Sequence, residues 1–178
     1  MNLKEEFLKY IGDEYSLVGY ARSYKLVFLK LFLQFMDSEG KVKEIDLARE
    51  FKRFYEKRKE QRLLPDINAD PRIQNVDTST ISQIISVIRD NPFRVISDRG
   101  FVYHKNINGE EYYLINNELL REFTEDFKKK MTNLIEKKIN LYFSRIDKGE
   151  KIAGSNNSLK TLLIDLMNNY VKARTSEV

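Results

Sequence analysis

Phe101-Val102-Tyr103-His104-Lys105-Asn106-Ile107-Asn108-Gly109-Glu110-Glu111-Tyr112-Tyr113-Leu114-Ile115 is the stretch from which the rest of the chain is read. Two runs rich in aromatic and β-branched residues flank Asn108-Gly109. Both central residues of a two-residue hairpin turn take positive φ, which Asn and Gly tolerate best. Counting outward from that turn pairs Tyr103 with Leu114 and His104 with Tyr113. This is the one convincing β-hairpin in a sequence otherwise patterned for helices.

Immediately upstream, Ile81, Ile84, Ile85 and Ile88 share a helical face opposite Thr80, Ser82, Gln83, Ser86 and Arg89. Asp77-Thr78-Ser79 offers the cap, Asn91-Pro92 the end, and Phe93 to Asp98 one further turn before Gly100. A loop with two prolines, from Leu63 to Val76, precedes this helix. Before the loop a helix is expected from about Glu44 to Gln61, burying Leu47, Phe51, Phe54 and Tyr55. Its other faces carry Arg49, Lys52, Arg53, Lys57, Arg58, Lys59 and Arg62 against Glu50, Glu56 and Glu60, a surplus of +4 equal to the formal charge of the whole chain. Lys41-Val42-Lys43 reads as a short extended stretch. From Ser23 to Met36 apolar residues nearly close the circle, as in a central buried helix that stops at Asp37-Ser38-Glu39-Gly40. A first short helix spans Leu3 to Ile11.

Downstream, Asn116 or Asn117 caps a long helical region broken near Thr124, with Phe123, Phe127, Met131, Leu134, Ile135, Ile139, Tyr142, Phe143 and Ile146 at helical spacing. Lys128-Lys129-Lys130 and Lys137-Lys138 lie on its outer face. A polar stretch from Asp147 to Ser158 leads to a final amphipathic stripe, Leu159, Leu162, Leu163, Leu166, Met167 and Tyr170, expected to pack on the long helix or to bind a partner, including a second copy of the chain. The sequence thus divides into an N-terminal helix (1–19), a core (20–116), a long helical region (117–147), and a linker with a C-terminal helix (148–178).

Helix, extended segment, helix, loop, helix, strand, Asn-Gly turn, strand is the order of a winged helix, so the expected fold is mainly α, with one β-hairpin wing and a helical C-terminal extension. In nucleic-acid binders of this order the third helix meets base edges in the major groove, for which Thr80, Ser82, Gln83, Ser86 and Arg89 have suitable donors and acceptors. Arg94, Lys105 and Asn106 would hold phosphates from the wing, and Arg49, Lys52, Arg53, Lys57 and Arg58 would add affinity independent of sequence. Two features weigh the other way. Winged helices also serve as protein-binding modules, and Glu110 and Glu111 place negative charge in the wing.

At 178 residues, with 42% hydrophobic and 33% charged residues, the chain is long enough for one real core. Its pI near 9.1 reflects only four excess positive charges. No apolar run approaches the ~20 residues of a membrane span. Met1-Asn2-Leu3-Lys4-Glu5-Glu6 does not read as a secretory leader, and a cytoplasmic location is the expectation. With no Cys and one His, neither a Cys/His metal centre nor a thiol nucleophile can be written. The seven glycines do not form a phosphate loop or a dinucleotide fingerprint. No cofactor is expected. The one enzymatic pattern is a Mg²⁺ nuclease built from Asp66 and the Glu136-Lys137-Lys138 triplet, and the triplet falls inside a helix pattern instead of on a strand.

Ser23-Tyr24-Lys25-Leu26-Val27-Phe28-Leu29-Lys30, Glu39-Gly40-Lys41-Val42, Phe54-Tyr55, Asn91-Pro92-Phe93 and Gly100-Phe101 together resemble a module of bacterial restriction and helicase-type defence proteins, over roughly residues 20 to 145. The resemblance implies a bacterial, plasmid or phage setting and a role in handling DNA or regulating a machine that acts on it. It supplies no catalytic residues. The expected function is a non-catalytic DNA-binding or defence-associated accessory protein that contacts double-stranded DNA through the third helix and the wing. The alternative is a protein-binding adaptor or a phage-type inhibitor of a DNA-acting enzyme.

Overall fold

The computed structural model describes residues 2–14 and 22–149, so the stripe from Leu159 to Tyr170 lies outside the described residues. The described part is mainly helical, with a small three-stranded antiparallel sheet. Helix α1 (Leu3–Lys9) starts in a capping box between Asn2 and Glu5 and runs into a π-helical turn, Tyr10–Glu14. Helix α2 (Tyr24–Phe35) is buried on almost every side, as its composition requires, although Phe35 at its end is 43% exposed. Asp37 then folds the chain back, its carboxylate accepting from the backbone of Glu39 and Lys41. Gly40 sits at φ +72, where a Cβ would fall 2.5 Å from Ile115 Cγ2, so the close approach and the backbone angle both call for glycine.

Lys41–Lys43 forms strand β1, the hairpin supplies β2 (Val102–Ile107) and β3 (Glu110–Ile115), and the sheet order is β1-β3-β2. The register matches the count from the turn, with Tyr103 opposite Leu114 and His104 opposite Tyr113. Asn108 (φ 54) and Gly109 (φ 86) take the positive angles that the turn demands. The sequence left β1 without a partner. It pairs Val42 with Tyr113, which makes β3 the central strand.

Helix α3 (Glu44–Glu60) follows β1 directly and buries Leu47, Ala48, Phe51 and Tyr55 against α2. The two-proline loop is not wholly irregular, because Asp70 accepts from the Arg72 backbone and Pro71 opens a short helix α4 (Pro71–Gln74). Helix α5 (Ile81–Ile88) packs on α3. Its cap is Thr80, downstream of the expected Asp77-Thr78-Ser79, and its buried residues are Ile84, Val87 and Ile88, with Ile81 and Ile85 half-buried. Pro92 does not end the helical path. A π-helical turn, Arg89–Phe93, absorbs the missing donor and leads into α6 (Arg94–Ser97).

Asn116 caps α7 (Asn117–Arg121), and Thr124 caps α8 (Glu125–Asp147), so the long region is broken where the pattern falters. α8 packs on α2 and on the Tyr10–Glu14 turn. Phe7 and Tyr10 reach across to Phe101, with ring centroids 5.1 and 5.4 Å away, so the N-terminal helix joins the same core as the sheet. No helix among the described residues is long and apolar enough to cross a membrane.

Candidate nucleic-acid interface

The residues expected to meet DNA divide into those that the fold already occupies and those that it leaves open. Helix α3 presents Arg49, Arg53 and Lys57 at intervals of four, hence on one face. Arg49 pairs with Asp46 at 3.0 Å, both largely exposed. Arg53 and Lys57 are exposed and have no hydrogen bond or ion pair among the described residues. With Lys52, Glu50, Glu56 and Glu60 of the same helix and Ile81 at the start of α5, these residues line a shallow groove. The groove is therefore mixed in charge, and Arg53 and Lys57 are its open cations.

Lys52 and Arg58 lie on the inner side of the same helix. The Lys52 ammonium donates to the Val76 carbonyl at 2.6 Å and pairs with Glu56 at 3.0 Å, tying α3 to the segment before α5. Arg58 corrects the sequence-based expectation. It is 9% exposed, donates to the Leu64 carbonyl at 2.9 Å and to Asp147 at 2.6 Å, and lies 3.7 Å over the Phe143 ring. Its guanidinium clamps α3 to the C-terminal end of α8 and has no free face for a phosphate.

On α5 the polar face is largely committed to the fold. Thr80 and Gln83 form a capping box in which the Thr80 hydroxyl accepts from the Gln83 backbone and the Gln83 side-chain oxygen accepts from the Thr80 backbone. That leaves the Gln83 amide nitrogen as its open donor. Ser86 accepts from Arg72 at 3.0 Å, and Arg72 also grips Asp70, whose carboxyl its hydrogen bond holds below the usual carboxylate range. Ser82 is exposed and has no side-chain partner among the described residues.

Arg89 is held by Glu44. Its guanidinium donates to both Glu44 oxygens, at 2.7 and 2.6 Å, and the Tyr113 hydroxyl donates to the same carboxylate at 2.7 Å. Burial pushes the Glu44 carboxyl up, but Arg89 and Tyr113 together outweigh it and leave the group below its ordinary value. His104 lies 3.4 Å from Glu44 and 3.3 Å from Glu111. The cluster joins the first turn of α3, the end of α5 and the hairpin, so Arg89 fixes the hairpin against the helices, with its side chain still 46% exposed.

Elsewhere in the hairpin, the Asn106 side chain is occupied by the turn, accepting from the Gly109 backbone at 3.0 Å and donating to Glu111 at 2.8 Å. Lys43 holds Glu110 at 2.7 Å. Arg99 lies 5.3 Å from the Tyr10 ring. Arg94 and Lys105 are exposed and open. The set expected from sequence thus reduces, for direct contact, to Arg53, Lys57, Ser82, Arg94 and Lys105, with the Gln83 amide and the exposed edges of Arg49 and Arg89.

The nuclease pair is also redefined. Asp66 is 4% exposed and accepts from the Ser23 backbone at 2.8 Å, the Ser23 hydroxyl at 2.6 Å, the Ile67 backbone at 2.6 Å and the Tyr142 hydroxyl. Burial raises its carboxyl pKa against the pull of those donors. Glu136 lies half-buried on α8 and pairs with Lys30 at 3.2 Å. Asp66 therefore sits in a buried knot joining α2, the loop and α8, with its lone pairs taken.

Sequence reasoning missed Glu44, because an acid opening a helix looks like any first-turn carboxylate until the sheet order brings Tyr113 above it. Asp70-Pro71-Arg72 carried a legible signal, an Asp cap before Pro at the first helical position. No protein-family model, curated protein or solved structure matches the chain.

Proposed function

We infer that this chain is a winged-helix DNA-binding accessory protein that acts without catalysis. The observation that carries the reading is the strand order β1-β3-β2 with α2, α3 and α5 threaded before the hairpin. In a winged helix α5 would be the recognition helix and β2–β3 the wing. The resemblance of the segments around Ser23–Lys30 and Asn91-Pro92-Phe93 to defence-protein modules adds support for a DNA-handling role. Arg53 and Lys57 would hold backbone phosphates, and Ser82 and the Gln83 amide would face bases.

The test uses fluorescence anisotropy of labelled duplex. Arg53→Ala with Lys57→Ala is expected to weaken binding on all sequences alike and to lower the log–log salt slope by about 0.9 per lost phosphate contact. Gln83→Glu keeps the capping oxygen and removes the amide donor, so it is expected to change sequence preference with little loss of stability. Unchanged affinity and slope in the first variant would contradict this docking.

A second reading, a protein-binding adaptor or phage-type inhibitor, draws on the wing. Glu110 and Glu111 are there engaged by Lys43, Asn106 and His104, which leaves the hairpin edge nearly neutral. An adaptor of this kind would show no salt-sensitive duplex binding.

A further inference from the structure

Among the described residues, cations also gather on α8, away from the groove beside α3. Along its whole length α8 carries Lys128, Lys129, Lys130, Lys137, Lys138 and Arg145 against Glu125, Asp126, Glu136 and Asp147, with both first-turn acids N-terminal to the lysines. Glu136 is engaged by Lys30. Lys129, Lys130, Lys137 and, at the helix end, Lys148 are exposed and form no ion pair or hydrogen bond among the described residues. At 100° per residue they fall within one broad face, opposite buried Met131, Ile135, Ile139 and Tyr142. Asn133, Asn140 and Ser144 are exposed between them. From Lys129 to Lys148 the face runs about 28 Å at the α-helical rise.

Helix stability accounts for only part of this arrangement. Glu125 and Asp126 stand four residues before Lys129 and Lys130, a spacing that steadies a helix, whereas Lys137 and Lys148 have no acid three or four residues away. A straight cationic face with amide and hydroxyl donors between the lysines complements a regular array of negative charges. A duplex offers such an array, one charge per ~1.7 Å of axis. Insertion into a bilayer is disfavoured because the apolar face of α8 is in the core, and Leu141, 45% exposed, is the large apolar side chain left on the outside.

We propose that the outer face of α8 is a second phosphate-binding surface, which holds the backbone of duplex DNA through Lys129, Lys130 and Lys137. This inference rests on the DNA-binding reading and extends it from one docking face to two. Sequence specificity stays with α5, and α8 supplies affinity that is blind to sequence.

The experiment compares the full chain with three variants by anisotropy on labelled duplex, from about 50 to 200 mM salt, the range over which phosphate contacts show as large affinity losses. The variants are Lys129→Gln/Lys130→Gln/Lys137→Gln, the same positions changed to Arg, and Arg53→Ala/Lys57→Ala. The Gln variant is expected to lower the slope by about 0.9 for each contact removed, close to three in all, while the Arg variant keeps it. Because all three side chains project into solvent, an unchanged melting temperature is expected and is checked first. If the Gln variant binds as the parent does while Arg53→Ala/Lys57→Ala weakens binding, the α8 surface is overturned and the proposed function stands. No duplex binding by the parent chain sinks both. Salt-sensitive binding to vesicles rich in phosphatidylserine, without duplex binding, would reassign the face to an anionic membrane surface and overturn the proposal.

Discussion

Asp66 shows how a residue that looks chemical in the sequence turns out to be architectural in the fold. Four donors converge on a carboxylate that water does not reach, and the Ser23 hydroxyl also shares a 2.7 Å hydrogen bond with buried Tyr55. Asp66→Ala strands those donors, and unsatisfied buried polar groups cost roughly 1–3 kcal/mol each. We expect a loss of about 3 kcal/mol or more in urea unfolding. A fold as stable as the parent would show that the knot is dispensable. Glu44 gives a complementary test in pH. Its folded pKa lies below its ordinary value of 4.5, so the stabilisation it brings is complete above that value and is lost as pH falls through the folded one. Asp66 has the opposite sign: its raised folded pKa removes stability as pH rises from 3.8 toward the raised value. Glu44→Gln is therefore expected to flatten the loss of stability below about pH 4.5, measured by thermal melts across pH. An acid limb as steep as the parent's would remove Glu44 from the account.

At the scale of elements, legibility follows how local the determining physics is. The hairpin register was readable because Asn108-Gly109 fixes the turn and the pleat fixes everything outward from it. The break before α8 was readable because Thr124 interrupts the apolar spacing and caps the next helix. The cap of α5 was misplaced although Thr80-Ile81-Ser82-Gln83 has the spacing of a capping box, since three other capping residues precede it and only the packed Ile84, Val87 and Ile88 decide between them. The passage through Pro92 was not legible, because a π-helical turn depends on what lies on both sides of it. Gly40 links the elements. Its carbonyl accepts from the Ile115 backbone at 2.9 Å, and a methyl there would meet Ile115 and Leu120 at a backbone angle that disfavours a side chain. Gly40→Ala is expected to destabilise by about 1–3 kcal/mol in denaturant unfolding, and a neutral result would contradict the close packing of the α2–β1 turn on β3.

Across the whole molecule, charge is where sequence and structure part most clearly. The surplus on residues 49–62 was countable from sequence, but which cations stay open was not, because Arg58, Lys59 and Lys52 find their partners in Asp147, Asp77 and the Val76 carbonyl, far away in the chain. The candidate base-reading face was legible as a list of polar residues. Its commitment to a capping box, to Arg72 and to Glu44 depends on tertiary neighbours. What remains open is a small set on α3, α5, α6 and the hairpin and a longer row of lysines on α8, whose chemistry suits phosphates more than base edges. If duplex is the partner, the expectation is binding chiefly through counterion release, with modest sequence preference.

The central claim, that duplex DNA is the partner, is tested most directly by the salt dependence of the affinity of the unmodified chain for a labelled duplex of about 20 base pairs, read by anisotropy between about 50 and 200 mM salt. Binding at the lower salt and a linear log–log fall with salt are expected, the slope set by several phosphate contacts. Absence of binding at the lower salt, or an affinity indifferent to salt, would contradict it and move the search to a protein partner.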